Sequence, residues 1–245
     1  MKYPHLEKAP IIEALIDIQV KLPESLDIEV FLKPYKIFQQ EFPIKEERQE
    51  IITEIKVVKG KPQPVVNKSQ PIGYFFKTQD KAKLVQFRKN GYTFNKLRPY
   101  SSWSDIISEA RRFWEIYRDN IKPDSITRIA VRYINHLNLP LPISDFGVYL
   151  TNSPTIREGY PPKLDGFLSK LIVSDPAISI TSHITQQMDK TTSKYAVVIL
   201  DIDVFNKDSY SSTDNKIWKI FENFHNIKNK IFFNSLTDNA LELFK

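Results

Sequence analysis

Apolar residues alternate with polar ones through the first patterned segment, PIIEALIDIQVKLP. Ile12, Ala14, Ile16, Ile18, Val20 and Leu22 recur at every second position, while Glu13, Asp17, Gln19 and Lys21 occupy the positions between. That period predicts a half-buried strand, and Pro23 stops it. The period then changes. ESLDIEVFLKPYKIFQQEF places Val30, Phe31, Tyr35 and Phe38 at helical spacing, with Ser25 or Asp27 as N-cap and Pro34 expected to kink or divide the helix. Strands return in EIITEIKVVKG, IGYFFKTQD and KAKLVQFRKNGYTFNKLRP. In the last, Asn90-Gly91 is expected to form a two-residue type I′ hairpin turn, whose positions both need positive φ. The implied register opposes Phe87 with Phe94 on a core face, and Arg88 with Thr93 and Gln86 with Asn95 on a solvent face.

SWSDIISEARRFWEIYRDNIKP predicts the clearest helix, with Ile106, Ala110, Phe113 and Tyr117 repeating at three or four and Pro123 ending it. Alternation resumes in SITRIAVRYINHLNLP: Ile129, Val131, Tyr133, Leu137 and Leu139 form one face, and Arg128, Ala130, Arg132, Ile134, His136 and Asn138 the other. LPISDFGVYL reads as a short helix or turn and NSPTIREGYPPKLDGF as a loop. LSKLIVSDP, AISITSHITQQM and KYAVVILDIDVFN read as strands. TDNKIWKIFENFHNIKNKIFF closes the pattern as a helix capped by Thr213 or Asp214, and SLTDNALELF adds a last helical turn or two.

The two alternating segments match at a shift of 117 residues, Ile12 with Ile129, Ala14 with Val131, Ile16 with Tyr133, Val20 with Leu137 and Leu22 with Leu139, each followed by Pro. The element order after each is similar, which suggests two βαβββα pseudo-repeats, 1–123 and 124–245, within one compact domain. The expected class is α+β: a mainly antiparallel, curved sheet with helices on one face. The order of elements resembles the duplicated saddle of TATA-binding-protein-like folds.

Composition narrows the chemistry. The chain has no cysteine, which excludes disulfides, thiolate metal sites and cysteine nucleophiles. Its six glycines form no nucleotide loop, so no cofactor is expected. His5, His136, His183 and His225 are scattered, and none lies in a triad pattern. The first segment lacks the apolar core of a secretory signal and no run approaches the ~18 apolar residues of a membrane span, so the expectation is a cytoplasmic chain with no membrane contact. The net charge of +6 lies wholly in residues 1–122, which hold 22 Lys+Arg against 16 Asp+Glu. Between Lys56 and Arg98 stand 11 basic residues and one acid, Asp80, interleaved with Tyr74, Phe75, Phe76, Phe87, Tyr92 and Phe94. Basic strands bearing aromatics suit phosphate neutralisation and base stacking, and they suit an acidic protein surface equally.

Two motifs carry candidate chemistry. Arg128, Arg132 and His136 share one strand face, where they form an anion seat or pair with carboxylates at Asp201 and Asp203 or at Glu13 and Asp17. Asp201 and Asp203 in ILDIDVF share another, where they could hold a divalent cation for phosphodiester chemistry, although a third ligand is not identifiable.

KAPIIEALIDIQV, RIAVRYINHLNLP and LDIDVF together resemble the markers of a sporadically distributed family of uncharacterised bacterial and archaeal proteins of similar length. The resemblance covers nearly the whole chain and implies no activity, catalytic residue or cofactor. The family's patchy distribution fits accessory genes of mobile or defence loci.

The expected function is therefore a non-catalytic binding or adaptor module. Lys56, Lys59, Lys61, Lys81, Lys83, Arg88, Lys89, Lys96, Arg98, Arg128, Arg132 and His136 would contact nucleic acid or an acidic protein partner. The alternatives are a metal-dependent phosphodiester- or nucleotide-processing enzyme using Asp201 and Asp203, and a structural oligomer or adaptor that uses leftover sheet edges or helix faces.

Overall fold

A computed structural model describes residues 3–4, 6–23, 26–58 and 61–245, and along 52–68 its description is of the backbone alone. The alternating segments form β1 (Ile11–Lys21), β2 (Ile44–Val58), β3 (Lys61–Lys77), β4 (Lys83–Arg88), β5 (Gly91–Leu97), β6 (Ser125–Pro140), β7 (Leu168–Asp175), β8 (Ile180–Thr191) and β9 (Tyr195–Asn206). They make one curved antiparallel sheet in the order β2-β3-β4-β5-β1-β6-β9-β8-β7. The helices are α1 (Tyr35–Phe38), α2 (Trp103–Ile121), α3 (Lys216–Ser235) and α4 (Asp238–Glu242). The class is α+β, as expected.

The two 117-shifted segments are neighbours at the centre of the sheet, with Ile16 opposite Val131 and Ala14 opposite Tyr133. Going outward, β5 and β4 flank β1 as β9 and β8 flank β6. The halves differ in one respect: four strands follow β1 before its long helix, and three follow β6. Ala14, Ile16, Ile18, Phe94, Val131, Tyr133, Leu200 and Ile202 form a continuous apolar surface, none of them more than 1% exposed. Helix α2 covers one half of that surface through Ala110, Phe113 and Tyr117, and α3 covers the other through Phe221 and Phe224. Among the described residues, no helix is long and apolar enough to cross a membrane.

As expected, Pro34 divides the first helical segment, leaving a 3-10 turn over Ile28–Leu32, capped by Asp27, and the four-residue α1; Ser25 lies outside the described residues. Other local expectations need correction. Asn215 stands at the N-cap of α3, and Asp214 accepts from Lys216 N at 2.9 Å beside it. The β4–β5 hairpin turns at Lys89 and Asn90, because Arg88 pairs with Gly91 and Gln86 with Thr93. Asn90 does not take positive φ, and its carbonyl accepts from Val20 N at 3.1 Å. Gly91 is needed for a different reason: at φ +146°, a Cβ there would stand 2.2 Å from the Ile18 carbonyl oxygen. The glycine therefore lets β5 close against β1. The slip spans two residues, so each side chain keeps its face.

The face assigned to solvent is also not solvated. Gln86, Arg88, Thr93 and Asn95 are between 3% and 8% exposed, although no helix covers them. Polar side chains from adjacent strands cover one another instead.

Candidate functional site

Alternate residues of the central strands project from the sheet face opposite the helices. Asp17 stands in the middle of a charged lattice there. Its Oδ1 accepts from Arg88 Nη2 at 2.5 Å and from Thr93 Oγ1 at 2.6 Å, and its Oδ2 accepts from Arg128 Nη1 at 3.2 Å. Arg128 Nη2 donates onward to Asp203 Oδ2 at 2.8 Å, with the guanidinium 4.4 Å from the Phe205 ring centroid. Arg132 takes both oxygens of Asp201, through Nε at 2.8 Å and Nη2 at 2.6 Å. A second string runs from Arg48 to Gln86, from Gln86 to Asn95 at 2.9 Å, and from Asn95 to Glu13 at 2.5 Å.

Of the two readings of Arg128 and Arg132, cross-strand pairing with Asp17, Asp201 and Asp203 is the arrangement observed. Glu13 goes to Asn95 instead. The arginines are four residues apart, about 13 Å along the strand, and their guanidiniums are committed to separate carboxylates. The lattice is close to self-neutralising. Burial pushes the Asp203 carboxyl above its ordinary range against the pull of Arg128 and Arg132, and burial together with Arg88 makes the Arg48 cation harder to hold. Between these strings lies an open depression of about 520 Å³, lined by Asp17, Arg48, Arg88, Arg128, Asp203 and Lys207 among others. Arg88 Nε, buried beneath it, lacks a hydrogen-bond partner among the described residues.

For the carboxylate pair, the geometry is that of arginine partners. Both Asp201 oxygens and one of Asp203 are occupied by guanidinium donors, and among the described residues no three of His, Cys, Asp or Glu gather closely enough to hold a metal ion.

The chain matches no protein-family model and no curated protein.

The basic run from Lys56 to Arg98 divides in space. Lys83 and Lys96 face the helix side, where Lys83 meets Glu109 at 3.2 Å. Lys81 lies in the turn before β4, and Lys89 lies in the turn at the other end of that strand. Arg88 is buried against Asp17. His136 sits farther along β6, where burial and then Arg98 lower its basicity. Lys81, Lys89 and Arg98 are exposed, with no ion pair among the described residues.

Lys56, Lys61 and Lys68 occupy a ribbon. β3 pairs with β4 only over Gly73–Lys77, whereas β2 and β3 stay paired as far as Val58 and Lys61. Residues 49–58 and 61–71 therefore continue beyond the sheet as a two-stranded arm, about 30 Å long at ~3.3 Å per residue. Lys59 lies outside the described residues. Lys89 donates its backbone N–H to Ile72 O at 2.9 Å, which places it at the arm's base.

The sequence pattern missed Arg48, which reads as a solvated position in the acidic run KEERQE but meets Gln86, 38 residues away. It also missed the arm, because Pro62, Pro64 and Pro71 break the alternation of β3. The prolines stand where, among the described residues, the ribbon has no third strand to satisfy.

Proposed function

We propose that the chain is a non-catalytic binding module whose β2–β3 arm carries a polyanion, nucleic acid in the first instance. The observation that carries this reading is the arm itself. It leaves the sheet as a two-stranded antiparallel ribbon, and from 56 to 68 its sequence holds four lysines and no acid. A ribbon of this kind fits the ~12 Å major groove of a duplex. The arginines of the sheet face, by contrast, are already matched to carboxylates, and they act in this reading as a rigid mount. Lys89 extends the positive charge to the arm's base.

Fluorescence anisotropy with a labelled duplex and a single strand tests the idea. Four phosphate contacts give a slope of log affinity against log salt near −3.6, so affinity is expected to fall ~100-fold between 50 and 200 mM salt. Replacing Lys56, Lys59, Lys61 and Lys68 by Glu should abolish binding. Binding to poly-glutamate without binding to either nucleic acid would transfer the site to an acidic protein partner. No binding to any of the three at low salt would end the reading.

A further inference from the structure

Helix α3 carries a lysine in the stripe that should be apolar. Ile217, Phe221, Phe224, Lys228 and Phe232 share its buried side, and Lys228 is only 5% exposed. Its Nζ stands 3.7 Å from the centroid of the Tyr133 ring on β6. Among the described residues it has no carboxylate partner, and burial alone brings its ammonium down to about 7. A buried cation without a counter-charge is costly, and a fold retains one only where something else offsets it.

Lys228 lines a cavity of about 150 Å³ whose other walls include Leu6, Ala9, Ile11, Tyr100, Phe232 and Phe233. Among the described residues, the other titratable groups facing Lys228 are uncharged at neutral pH. His225, on α3 and stacked on Trp103 at 4.3 Å, is pulled down to about 3 by burial and then by Lys228. The Tyr133 phenol on β6 and the Tyr100 phenol before α2 are both pushed up by burial, and their oxygens lie 3.3 Å apart. Asn135 and Asn229 supply neutral amides at the wall. Among the described residues the site thus has one positive charge, no negative one, and largely apolar walls.

We propose that this cavity binds a small apolar monocarboxylate, with the carboxylate on the Lys228 ammonium and the hydrocarbon part against Leu6, Ile11, Phe232 and Phe233. Volume sets the size: an apolar cavity of ~150 Å³ holds a molecule as large as benzene, which corresponds to acids of about four to six carbons. A dianion such as phosphate would leave one charge unmatched. Because the free amine is partly neutral near pH 7, binding draws a proton, and affinity for the carboxylate rises as pH falls from 8 to 6.

Titrations of the full chain with butyrate and hexanoate, alongside butanamide and hexanamide, test the assignment by calorimetry and by tryptophan fluorescence. The acids are expected to bind about 10- to 100-fold more tightly than the amides, the range of a charge-assisted hydrogen bond. Proton uptake should appear as a binding heat that varies with the buffer. Lys228→Met should remove the preference for acid over amide. Equal binding of acid and amide to the unaltered chain, or no binding of either acid, overturns the proposal without reliance on any variant. The site lies on the helix side of the sheet, so this result is separable from failure of the arm to bind nucleic acid.

Discussion

Replacing Lys228 by Met should make the chain more stable, and more so at low pH than at high. Burial brings the lysine's ammonium down to about 7 in the folded chain, against 10.5 when solvated. Between those limits the unfolded chain holds a proton that the folded chain lacks, so wild-type stability rises with pH by up to ~1.4 kcal/mol per pH unit. The penalty is full below pH 7 and has vanished above about 10.5. Integrated, it amounts to about 4 kcal/mol at pH 7 and about 2 kcal/mol at pH 9. The face of Tyr133 returns ~0.5–2 kcal/mol of it while the amine is charged, which leaves a net cost at neutral pH. Methionine fills a similar volume and carries no such cost. Urea denaturation followed by tryptophan fluorescence at pH 6, 7.5 and 9 gives the free energies by linear extrapolation. The gap between variant and wild type should narrow by about 2 kcal/mol from pH 7 to 9. Parallel pH curves, or a variant less stable than wild type at pH 6, would refute the reasoning.

Asp17→Asn should cost about 3 kcal/mol, since it leaves Arg88 and Arg128 short of a buried counter-charge, whereas the double change Asp17→Leu with Arg88→Met should recover most of that loss; a single variant as stable as wild type in urea would show the lattice to be energetically idle. Among the described residues, strand β7 has an unpaired outer edge, and it bears Leu168, Leu171, Ile172 and Val173, all at least 43% exposed. Lysine at 172 and 173 should reduce concentration-dependent self-association in sedimentation velocity, and unchanged sedimentation would clear this edge of an adhesive role.

The parts of the fold that could be read in advance are those set by local period. β1, β6, α2 and α3 each bury one continuous stripe, and so their patterns are complete within a single segment. The lattice could not be read that way. Asp17 meets Arg88 across 71 residues and Arg128 across 111, and these meetings exist only once the sheet order brings β4, β5, β1 and β6 side by side. Pairing of Arg128 and Arg132 with carboxylates at Asp201 and Asp203 or at Glu13 and Asp17 was accessible because equal alternation on neighbouring strands implies complementary faces, but which arginine meets which acid was not. Gly91 shows the opposite case: the dipeptide signalled a turn, yet the glycine answers to a third strand whose approach no local pattern records. Lys228 did leave a trace, a cation inside an apolar stripe, since charged residues are almost never fully buried without a partner.

The strand at the middle of the sheet is synthesised before every strand that lies beside it. β1 leaves the ribosome with neither neighbour in existence; β5 reaches it about 70 residues later, and β6 only after α2 has been completed. For that interval one side of β1 offers unmatched backbone groups along an apolar surface, a hazard for a nascent chain. β6 meets the same wait for β9. Closure of this protein is therefore a late event in translation, and a chain truncated anywhere before residue 195 would leave β6 without β9, its partner on the far side from β1.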